Sequence, residues 1–327
     1  MARELATAPE IALDTEGDSL HHYPERLALL QLGLPDGTVW LVDPLVLADL
    51  APLAPVFADQ ARTLVLHAGD NDLVHLKRRY GLTFASVFDS AIAGRFLGLR
   101  ALGLDVLHLF ALKAALVDEL GRTGRLAWVE EECAALAAQP APERPVDPVP
   151  WLGVKGAREL PPRALAVLRE LWTLREELAR TADRPPFKIL NEDTLLRIAQ
   201  AAPPDTATLG ALAGITPRVL GRWGGAILDA VESARALPES ELPVLPRPRR
   251  PTISGATSRR IEKLRRWRAG ATERIGLEAG VVLPNRLITA IAEAAPRTLG
   301  ELSRVDGVRR WRVETLGAEL LAAMTGP

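Results

Sequence analysis

The first candidate for chemistry is a pair of carboxylates at the end of an apolar run. The apolar residues 11–13 precede Asp14, and Glu16 follows two positions later. Residues two apart on a β-strand face the same side, so both carboxylates would project together. Clustered carboxylates resist burial unless a cation neutralises them. Because no cysteine or histidine cage lies nearby, we interpret the pair as oxygen ligands for Mg²⁺ or Mn²⁺; a solvated turn at the strand end is the alternative.

A third carboxylate, Asp72, follows another apolar run. Leu64–His67 has strand length, and after a short turn the chain begins a helix with Leu73 and Leu76 on its apolar side. A carboxylate in the first turn of a helix is favoured by the helix dipole, so Asp72 could serve the helix alone. Its place directly after a second strand strengthens the metal interpretation.

The elements around these carboxylates alternate between strand and helix, which indicates an α/β layer domain. After the first proline-rich stretch no strand pattern remains, and the chain becomes all-helical. The predicted strands are Ile11–Asp14, Leu27–Leu32, Val39–Val42 and Leu64–His67, and the predicted helices of this domain are Asp70–Arg79, Ala91–Leu97 and Ala111–Leu120.

Two proline-rich stretches, Gln139–Pro150 and Leu237–Pro251, predict extended linkers, because proline lacks the amide donor that helices and central strands need. The two helical segments resemble each other: Ile198, Ala202 and Gly214 recur 93 residues later as Ile291, Ala295 and Gly307. This period is longer than that of a solenoid unit, so we predict a duplicated helical domain. The predicted boundaries are 1–137 for the α/β domain, 138–158 for the first linker, 159–237 for the first helical domain, 238–256 for the second linker and 257–327 for the second helical domain.

Composition limits the class of protein. The chain has 327 residues, 48% hydrophobic and 25% charged, which is typical of a folded soluble protein with two or three domains. Its formal net charge is −1, yet residues 247–327 hold 16 Lys and Arg against 8 Asp and Glu, and such a basic end favours nucleic-acid contact. Cys133 is the only cysteine, which fits a reducing compartment. Without a secretory signal or an 18-residue apolar run, we expect a cytoplasmic protein with no membrane partner.

The motifs together resemble a known family. Asp14-Thr15-Glu16, Pro24-Glu25-Arg26-Leu27 and Leu30-Gln31-Leu32 resemble the first motif of the ribonuclease D family of DEDD 3′–5′ exonucleases. His67-Ala68 with Asp72-Leu73 resembles the second motif, and Phe88-Asp89-Ser90 resembles the segment that follows it. The helical repeats resemble HRDC domains, through Leu168-Arg169-Glu170-Leu171-Trp172 in the first copy and Leu283-Pro284-Asn285-Arg286-Leu287 in the second.

The resemblance implies an α/β RNase H-like exonuclease domain with a mixed sheet, followed by two small all-α HRDC domains. Asp14, Glu16 and Asp72 would hold two divalent cations, one activating water and the other stabilising the leaving 3′ oxygen. The implied reaction removes nucleotides from RNA 3′ ends. The implied substrates are single-stranded RNA and tRNA precursors or other structured RNA, with DNA as a second candidate.

The third motif of the family is incomplete in this sequence. It carries a tyrosine four residues before the last metal-binding aspartate, but neither Tyr23 nor Tyr80 precedes an aspartate at that spacing. The best remaining aspartate is Asp105, which is either the fourth ligand or an exposed helix residue. Only 16 positions separate it from Asp89, so we expect a shortened segment between 98 and 105. Because the tyrosine is missing and the segment is short, we expect an exonuclease of weakened activity. The alternative is a protein whose exonuclease domain has lost its activity and which binds nucleic acid through its HRDC domains.

Arginines dominate the candidate nucleic-acid interface. One predicted helix carries a broad basic face, and two Arg-Trp pairs combine phosphate contact with base stacking; an ordinary solvated surface is the alternative. A protein partner for the helical repeats is a third hypothesis. We interpret the histidines as packed or exposed rather than zinc ligands, and Cys133 as a buried apolar residue. The candidate residues are Arg222 with Trp223, then Arg259, Arg260, Arg265 and Arg266, and finally Arg309 and Arg310 with Trp311.

Overall fold

The computed structural model describes residues 1–47, 49–99, 108–141, 147–245 and 253–325. Contacts divide the chain into two units. The first unit comprises residues 1–16, 28–143 and 251–327, and the second comprises residues 17–27 and 144–250.

Five strands of the described residues form a mixed sheet. They are β1 (Glu10–Gly17), β2 (Leu27–Gly33), β3 (Val39–Val42), β4 (Thr63–Leu66) and β5 (Val87–Asp89). Their order in the sheet is β3-β2-β1-β4-β5. Strand β4 pairs in parallel with β1 and with β5, whereas β2 and β3 are antiparallel. Residues 11–13 of the central strand β1 are all buried, because a strand inside a layered sheet is covered on both faces.

Helices alternate with these strands, so the predicted α/β layer domain with a mixed sheet is confirmed. Helix α3 turns Leu73 and Leu76 into the core and ends at Gly81, whose φ of 65° suits a helix C-cap. Strand β5 and helix α6 lie outside the elements predicted from the sequence. The helices are α1 (Ala2–Leu5), α2 (Ala54–Phe57), α3 (Asp70–Tyr80), α4 (Ser90–Phe96), α5 (Leu109–Arg122) and α6 (Leu126–Ala138), with a 3₁₀ turn at Ala51–Leu53.

In the described residues, two helical segments each contain five helices in the same order. The first contains α7 (Pro162–Thr181), α8 (Pro186–Ile189), α9 (Glu192–Ala201), α10 (Thr206–Gly210) and α11 (Pro217–Ala236). The second contains α12 (Gly255–Ile275), α13 (Ala279–Val282), α14 (Asn285–Ala294), α15 (Leu299–Leu302) and α16 (Arg310–Thr325). Each helix starts 93 residues after its counterpart, as 162 and 255 do. Gly214 and Gly307 also share a positive φ, 97° and 78°. The duplicated helical domain is confirmed.

The second unit is built around the first helical segment. Helices α7, α9 and α11 enclose a core that includes Leu168, Ile198 and Ile227. Trp151 and Leu152 belong to the same core, so part of the predicted linker 138–158 packs as helical domain. Residues 142–146 and 246–252 of the predicted linkers lie outside the described residues. Short 3₁₀ turns occur at Pro150–Gly153, Ala157–Glu159 and Glu239–Glu241.

In the first unit, the α/β domain and the second helical segment share one hydrophobic core. Phe96, Val129 and Cys133 lie in the same buried cluster as Leu283 and Trp311. Sequence patterns do not reveal this shared core, because they show which residues are apolar but not which distant elements meet.

No single helix of the described residues is both long and apolar enough to cross a bilayer. Gly255–Ile275 and Ala279–Ala294 reach that length and apolar composition only as a pair, and the chain bends by 111° between them.

Candidate active site and nucleic-acid interface

Strand β1 carries the first two predicted carboxylates on its second half. Asp14 is half-buried and Glu16 is exposed. The neighbouring strand β2 supplies Gln31, whose Nε2 donates a hydrogen bond to Asp14 Oδ2 over 3.1 Å. The amide therefore holds one oxygen of Asp14 in place and leaves the other carboxylate oxygen for a further partner.

The turn between β4 and α3 brings the third carboxylate to the same place. Asp72 is half-buried in the first turn of α3, and its Oδ1 accepts a hydrogen bond from the Thr15 hydroxyl of β1. The turn is tight: Ala68 has a φ of 54°, and a Cβ on Gly69 would lie 2.8 Å from a Leu66 methyl carbon. Because β1 and β4 run in parallel, this turn follows the strand beside β1 at its carboxyl end.

The electrostatics of this cluster are unfavourable. Burial raises the pKa of Asp14, and the negative charges of Asp72 and Glu16 raise it further. Burial also raises the pKa of Asp72, although the hydrogen bond from Thr15 opposes that shift. Both shifts mean that the ionised carboxylates are less stable here than in water. A nearby cation would remove this penalty.

The donor set fits a hard divalent cation in its chemistry. It consists of carboxylate oxygens, which Mg²⁺ and Mn²⁺ prefer. Burial, and then the charges of Asp72 and Glu16, raise the pKa of Asp14, and a nearby cation would offset both effects. Throughout the described ranges, no three His, Cys, Asp or Glu side chains converge into a ligand set. Asp72 is bonded to the Thr15 hydroxyl instead.

The described residues do not include the predicted fourth carboxylate, and neither tyrosine lies at the site. Asp105 lies outside the described residues, which resume at His108. Tyr23 donates its hydroxyl hydrogen to Glu176 within the second unit, and Tyr80 is the last residue of α3. No sequence argument placed either tyrosine at the site, and their structural positions agree with that.

Asp89 is a positioning residue that sequence reasoning did not assign. Its side chain is 1% exposed, and its oxygens accept hydrogen bonds from the backbone of Ala68 (3.1 Å) and Gly69 (2.9 Å). The same carboxylate caps α4 by accepting from Ala91 N at 2.8 Å. Asp89 thereby fixes the turn that leads to Asp72. An Asp-Ser pair at a predicted helix start was the available signal.

Helix α12 presents the predicted basic face. Arg259, Arg265 and Arg266 are exposed, and Arg260 is half-buried with its Nε donating to Ala292 O over 2.6 Å. Arg259 and Arg260 line a groove of about 280 Å³ together with Lys263 and Arg297, and no acidic residue lines that groove. The face thus has the charge that a phosphate backbone requires.

Arg222 and Trp223 lie together on α11 of the first helical domain. The Arg222 guanidinium sits 5.1 Å from the centre of the indole ring, and Trp223 is half-buried against the domain core. A half-buried indole beside a cation suits contact with an unpaired base and its phosphate.

The arginines at the start of α16 turn partly inward. Trp311 is 3% exposed and stacks on Trp128 with ring centres 4.8 Å apart, so the interpretation of Trp311 as a base-stacking residue is wrong. Arg309 Nε contacts Glu132 Oε2 at 3.2 Å. The Arg310 side chain is 77% exposed, so a role in binding nucleic acid stays a prediction for Arg310. The same role stays a prediction for Arg309, whose side chain is paired with Glu132.

The sequence of this chain is similar to known protein families in the same order of domains. A sequence profile of 3′–5′ exonuclease domains matches residues 1–119, and a profile of HRDC domains matches residues 164–231 and 258–324. A ribonuclease D of Pseudomonas paraeruginosa is 31% identical over an alignment of 363 positions that covers 98% of this chain and 94% of that protein. The chain belongs to the ribonuclease D family. The family, the exonuclease class of enzyme and the HRDC domains predicted from the sequence are thereby confirmed.

Solved structures share the fold. A protein from Bifidobacterium adolescentis superposes with a TM-score of 0.79 at 23% identity, covering 99% of this chain and 94% of that one. Escherichia coli RNase D, described as an exoribonuclease involved in structured RNA processing, superposes with a TM-score of 0.65 at 22% identity, covering 99% and 95%. The order of an exonuclease-like fold and helical domains is therefore common to this chain and these two structures.

Proposed function

We propose that this chain removes nucleotides from RNA 3′ ends in a reaction that requires Mg²⁺ or Mn²⁺, with Asp14, Glu16 and Asp72 as the metal-binding carboxylates. The observation that carries the proposal is the position of Asp14 on β1 and of Asp72 at the start of α3, where burial, and then the charges of Asp72 and Glu16, raise the pKa of Asp14. They lie inside a segment that matches 3′–5′ exonuclease domains.

Each neighbour of the carboxylates has a part in positioning them. Gln31 holds one oxygen of Asp14, and the Thr15 hydroxyl holds Asp72. Asp89 fixes the turn from which α3 starts. When bound, divalent cations supply the positive charge that activates water and stabilises the leaving 3′ oxygen. The protein contribution is then the placement of the scissile phosphate and of its own oxygen ligands.

Positioning of the attacking water is the weak point of this site. The chain has only Tyr23 and Tyr80, and neither stands four residues before an aspartate. The alignment with the Pseudomonas relative has 363 positions against 327 residues, so at least 36 positions hold no residue of this chain. We place part of this difference between 98 and 105, and we keep Asp105 as the candidate fourth ligand.

Reduced activity follows from that departure. General acid–base and orientation effects typically contribute about 10²–10⁴-fold, so we expect a slow exonuclease. The alternative is a nucleic-acid-binding protein whose exonuclease domain has decayed. The observation that favours the alternative is the Tyr23 hydroxyl, which is committed to Glu176 in the second unit.

We further propose that the HRDC domains hold the RNA. The basic face of α12 and the Arg222–Trp223 pair supply charge and one aromatic surface. Single-stranded and tRNA-like 3′ ends are the proposed substrates, and DNA is a weaker candidate. A cytoplasmic setting stays a prediction from the sequence.

The test is degradation of a 5′-labelled single-stranded RNA with Mg²⁺ or Mn²⁺. The wild-type chain should give a ladder that shortens from the 3′ end, and Asp14→Asn and Asp72→Asn should abolish it. Asp70→Asn is the matched control, because Asp70 is exposed in the same helical turn as Asp72. A wild-type chain that retards RNA in a gel but degrades none with either cation favours the binding protein. Equal rates for all three variants would show that these carboxylates do not carry the reaction.

A further inference from the structure

A cationic cavity lies between the exonuclease domain and the second helical domain, within the first unit. Its volume is about 360 Å³, inside the range of roughly 300–1,000 Å³ for small-molecule sites. Helices α4 and α6 form one side, and α13, α14 and α16 contribute to the other. Arg95, Arg286, Arg309 and Arg312 line it, and Glu132 is the one acidic side chain among the described residues of the lining, so the net charge of those residues is +3.

Three of these arginines lie close to one another. Burial lowers the pKa of Arg312, Glu132 opposes the shift, and Arg309 and Arg286 lower it further by like-charge repulsion. Arg312 is 4% exposed and fully engaged: it donates to Glu132 Oε1 at 2.6 Å and to backbone oxygens of Val281 and Val282. Glu132 therefore pairs with Arg312 and Arg309 and neutralises one of their two charges, while the other two arginines have no carboxylate partner among the described lining residues.

Arg95 and Arg286 are the available side chains. Both are exposed, and neither has an ion pair or a side-chain hydrogen bond with any other residue that the structure describes. The Arg286 guanidinium lies over Gly307, where a Cβ would be 3.1 Å from Nη1. Forked guanidinium groups with free donors match the oxygens of a phosphate better than those of a compact monovalent anion.

The rest of the lining is largely apolar. Ile92, Phe96, Leu136, Val281 and Pro284 form its walls. A ligand that joins an anionic group to a flat, less polar body fits a cavity with guanidiniums and apolar walls. A nucleotide has this form, and the exonuclease reaction proposed above generates mononucleotides that carry a 5′ phosphate.

We propose that this cavity binds the phosphate group of a nucleotide, with Arg95 and Arg286 as the contacting side chains and Arg309 and Arg312 as a fixed positive background. The phosphate belongs either to a free mononucleotide or to the backbone of a bound RNA. Only the choice of a nucleotide rests on the proposed function; the phosphate site itself rests on the cavity and its charge.

The test is calorimetric titration of the full chain in EDTA at low salt with adenosine monophosphate, inorganic phosphate and an oligoribonucleotide that lacks terminal phosphates. We expect one adenosine monophosphate per chain, with an affinity that falls as salt rises. Loss of one charged hydrogen-bond donor typically weakens binding about tenfold or more, so Arg286→Gln and Arg95→Gln should each do so. Arg304→Gln, an exposed arginine of the same helical domain outside the cavity, should leave the affinity unchanged.

Competition between the ligands identifies the source of the phosphate. Displacement of adenosine monophosphate by the oligoribonucleotide supports a backbone phosphate, and failure to displace it supports a free mononucleotide. Adenosine, titrated in the same way, is the control without a phosphate. The proposal is overturned if adenosine binds as well as its monophosphate, if none of the three phosphate-containing ligands binds, or if Arg304→Gln weakens binding as much as Arg286→Gln. Because EDTA removes divalent cations, a negative result here leaves the exonuclease proposal standing, and an inactive exonuclease leaves this one standing.

Discussion

Replacement of Glu132 by alanine should be among the most damaging single changes to the stability of the first unit. The Glu132 side chain is 19% exposed and accepts hydrogen bonds from Arg312, Arg309 and Trp311. Arg312 is its main partner, with a side chain that is 5% exposed. Without the carboxylate, the Arg312 guanidinium would stay buried with only backbone oxygens as partners.

The size of the loss follows from the burial of that charge. Removing one partner of a buried ion pair typically costs about 3–5 kcal/mol, because the remaining charge is left uncompensated. The adjacent Glu131 provides a matched control. It accepts hydrogen bonds from the backbone N–H groups of Arg310 (2.6 Å) and Trp311 (3.0 Å) at the start of α16. Loss of such capping bonds costs about 1 kcal/mol, so Glu131→Ala should destabilise far less than Glu132→Ala.

Urea unfolding followed by tryptophan fluorescence measures both variants, since Trp128 and Trp311 stack beside Glu132. The double variant Glu132→Leu with Arg312→Met should recover most of the lost stability, because apolar replacement of both partners removes the buried charge. A Glu132→Ala loss no larger than that of Glu131→Ala would refute the buried-pair reasoning. So would a double variant as unstable as Glu132→Ala.

A second substitution of the same residue, Glu132→Gln, should change the pH dependence of stability with a definite sign. Burial alone would raise the pKa of Glu132, but Arg312 and the hydrogen bonds outweigh burial and lower it. A carboxylate with a lowered folded pKa stabilises the protein above its unfolded pKa, and that stabilisation is lost as pH falls through the folded value. The gap between wild type and Glu132→Gln should therefore shrink in acid.

Three further predictions concern the acidic site, the basic face and the helical repeat. In EDTA at pH 7, Asp14→Asn should have a melting temperature no lower than that of the wild type. Because the folded pKa of Asp14 is raised, its ionised form destabilises the wild-type protein, and this destabilisation is absent below the unfolded pKa. A lower melting temperature for the variant would contradict the prediction. Arg259→Gln with Arg266→Gln should weaken RNA binding and reduce the salt slope by about 2 in filter binding, whereas an unchanged slope would show that neither contacts phosphate. Gly214→Ala should lower the free energy of unfolding in urea by about 2 kcal/mol or more, because the φ of Gly214 is 97° and a Cβ would lie 2.1 Å from the Thr194 hydroxyl oxygen. As the control, Gly225→Ala at an exposed position of α11 should raise the free energy of unfolding by about 0.5–1 kcal/mol.

Local features of the fold were predictable because they depend on neighbouring residues. The apolar run before Asp14 identified β1 within a few residues of its ends. The helical repeat followed from the recurrence of Gly214 as Gly307, where the positive φ excludes most side chains. The metal-site candidates Asp14 and Asp72 were found in the same way, each at the end of an apolar strand.

Long-range pairing was not predictable. Arg309, Arg310 and Trp311 read as a cationic aromatic patch, because the sequence gives no sign of the acids they meet. Glu132 is 180 residues away from Arg312 in the chain, on a helix that was not predicted. Only the folded structure shows that Glu132 pairs with Arg309 and Arg312 and accepts a hydrogen bond from the Trp311 indole.

The direction of the pKa shift separates two kinds of acidic residue in this protein. The pKa of Asp205 is lowered by the backbone and side-chain hydrogen bonds of Thr208 at a helix start, and that of Asp183 by its bond with His22; the pKa of Glu132 falls because arginine and tryptophan donors outweigh burial. These carboxylates stabilise the fold in their ionised form.

Asp14 and Asp72 show the opposite shift, since burial raises their pKa and their hydrogen bonds do not reverse it. Their ionised forms are therefore less favourable in the folded protein than in water, unlike those of Asp205, Asp183 and Glu132. Substitution of Asp14 should therefore leave the protein folded and remove exonuclease activity, whereas substitution of Glu132 should weaken the fold without touching the carboxylate site. The two variants together test whether Asp14 serves the reaction and whether Glu132 serves the fold.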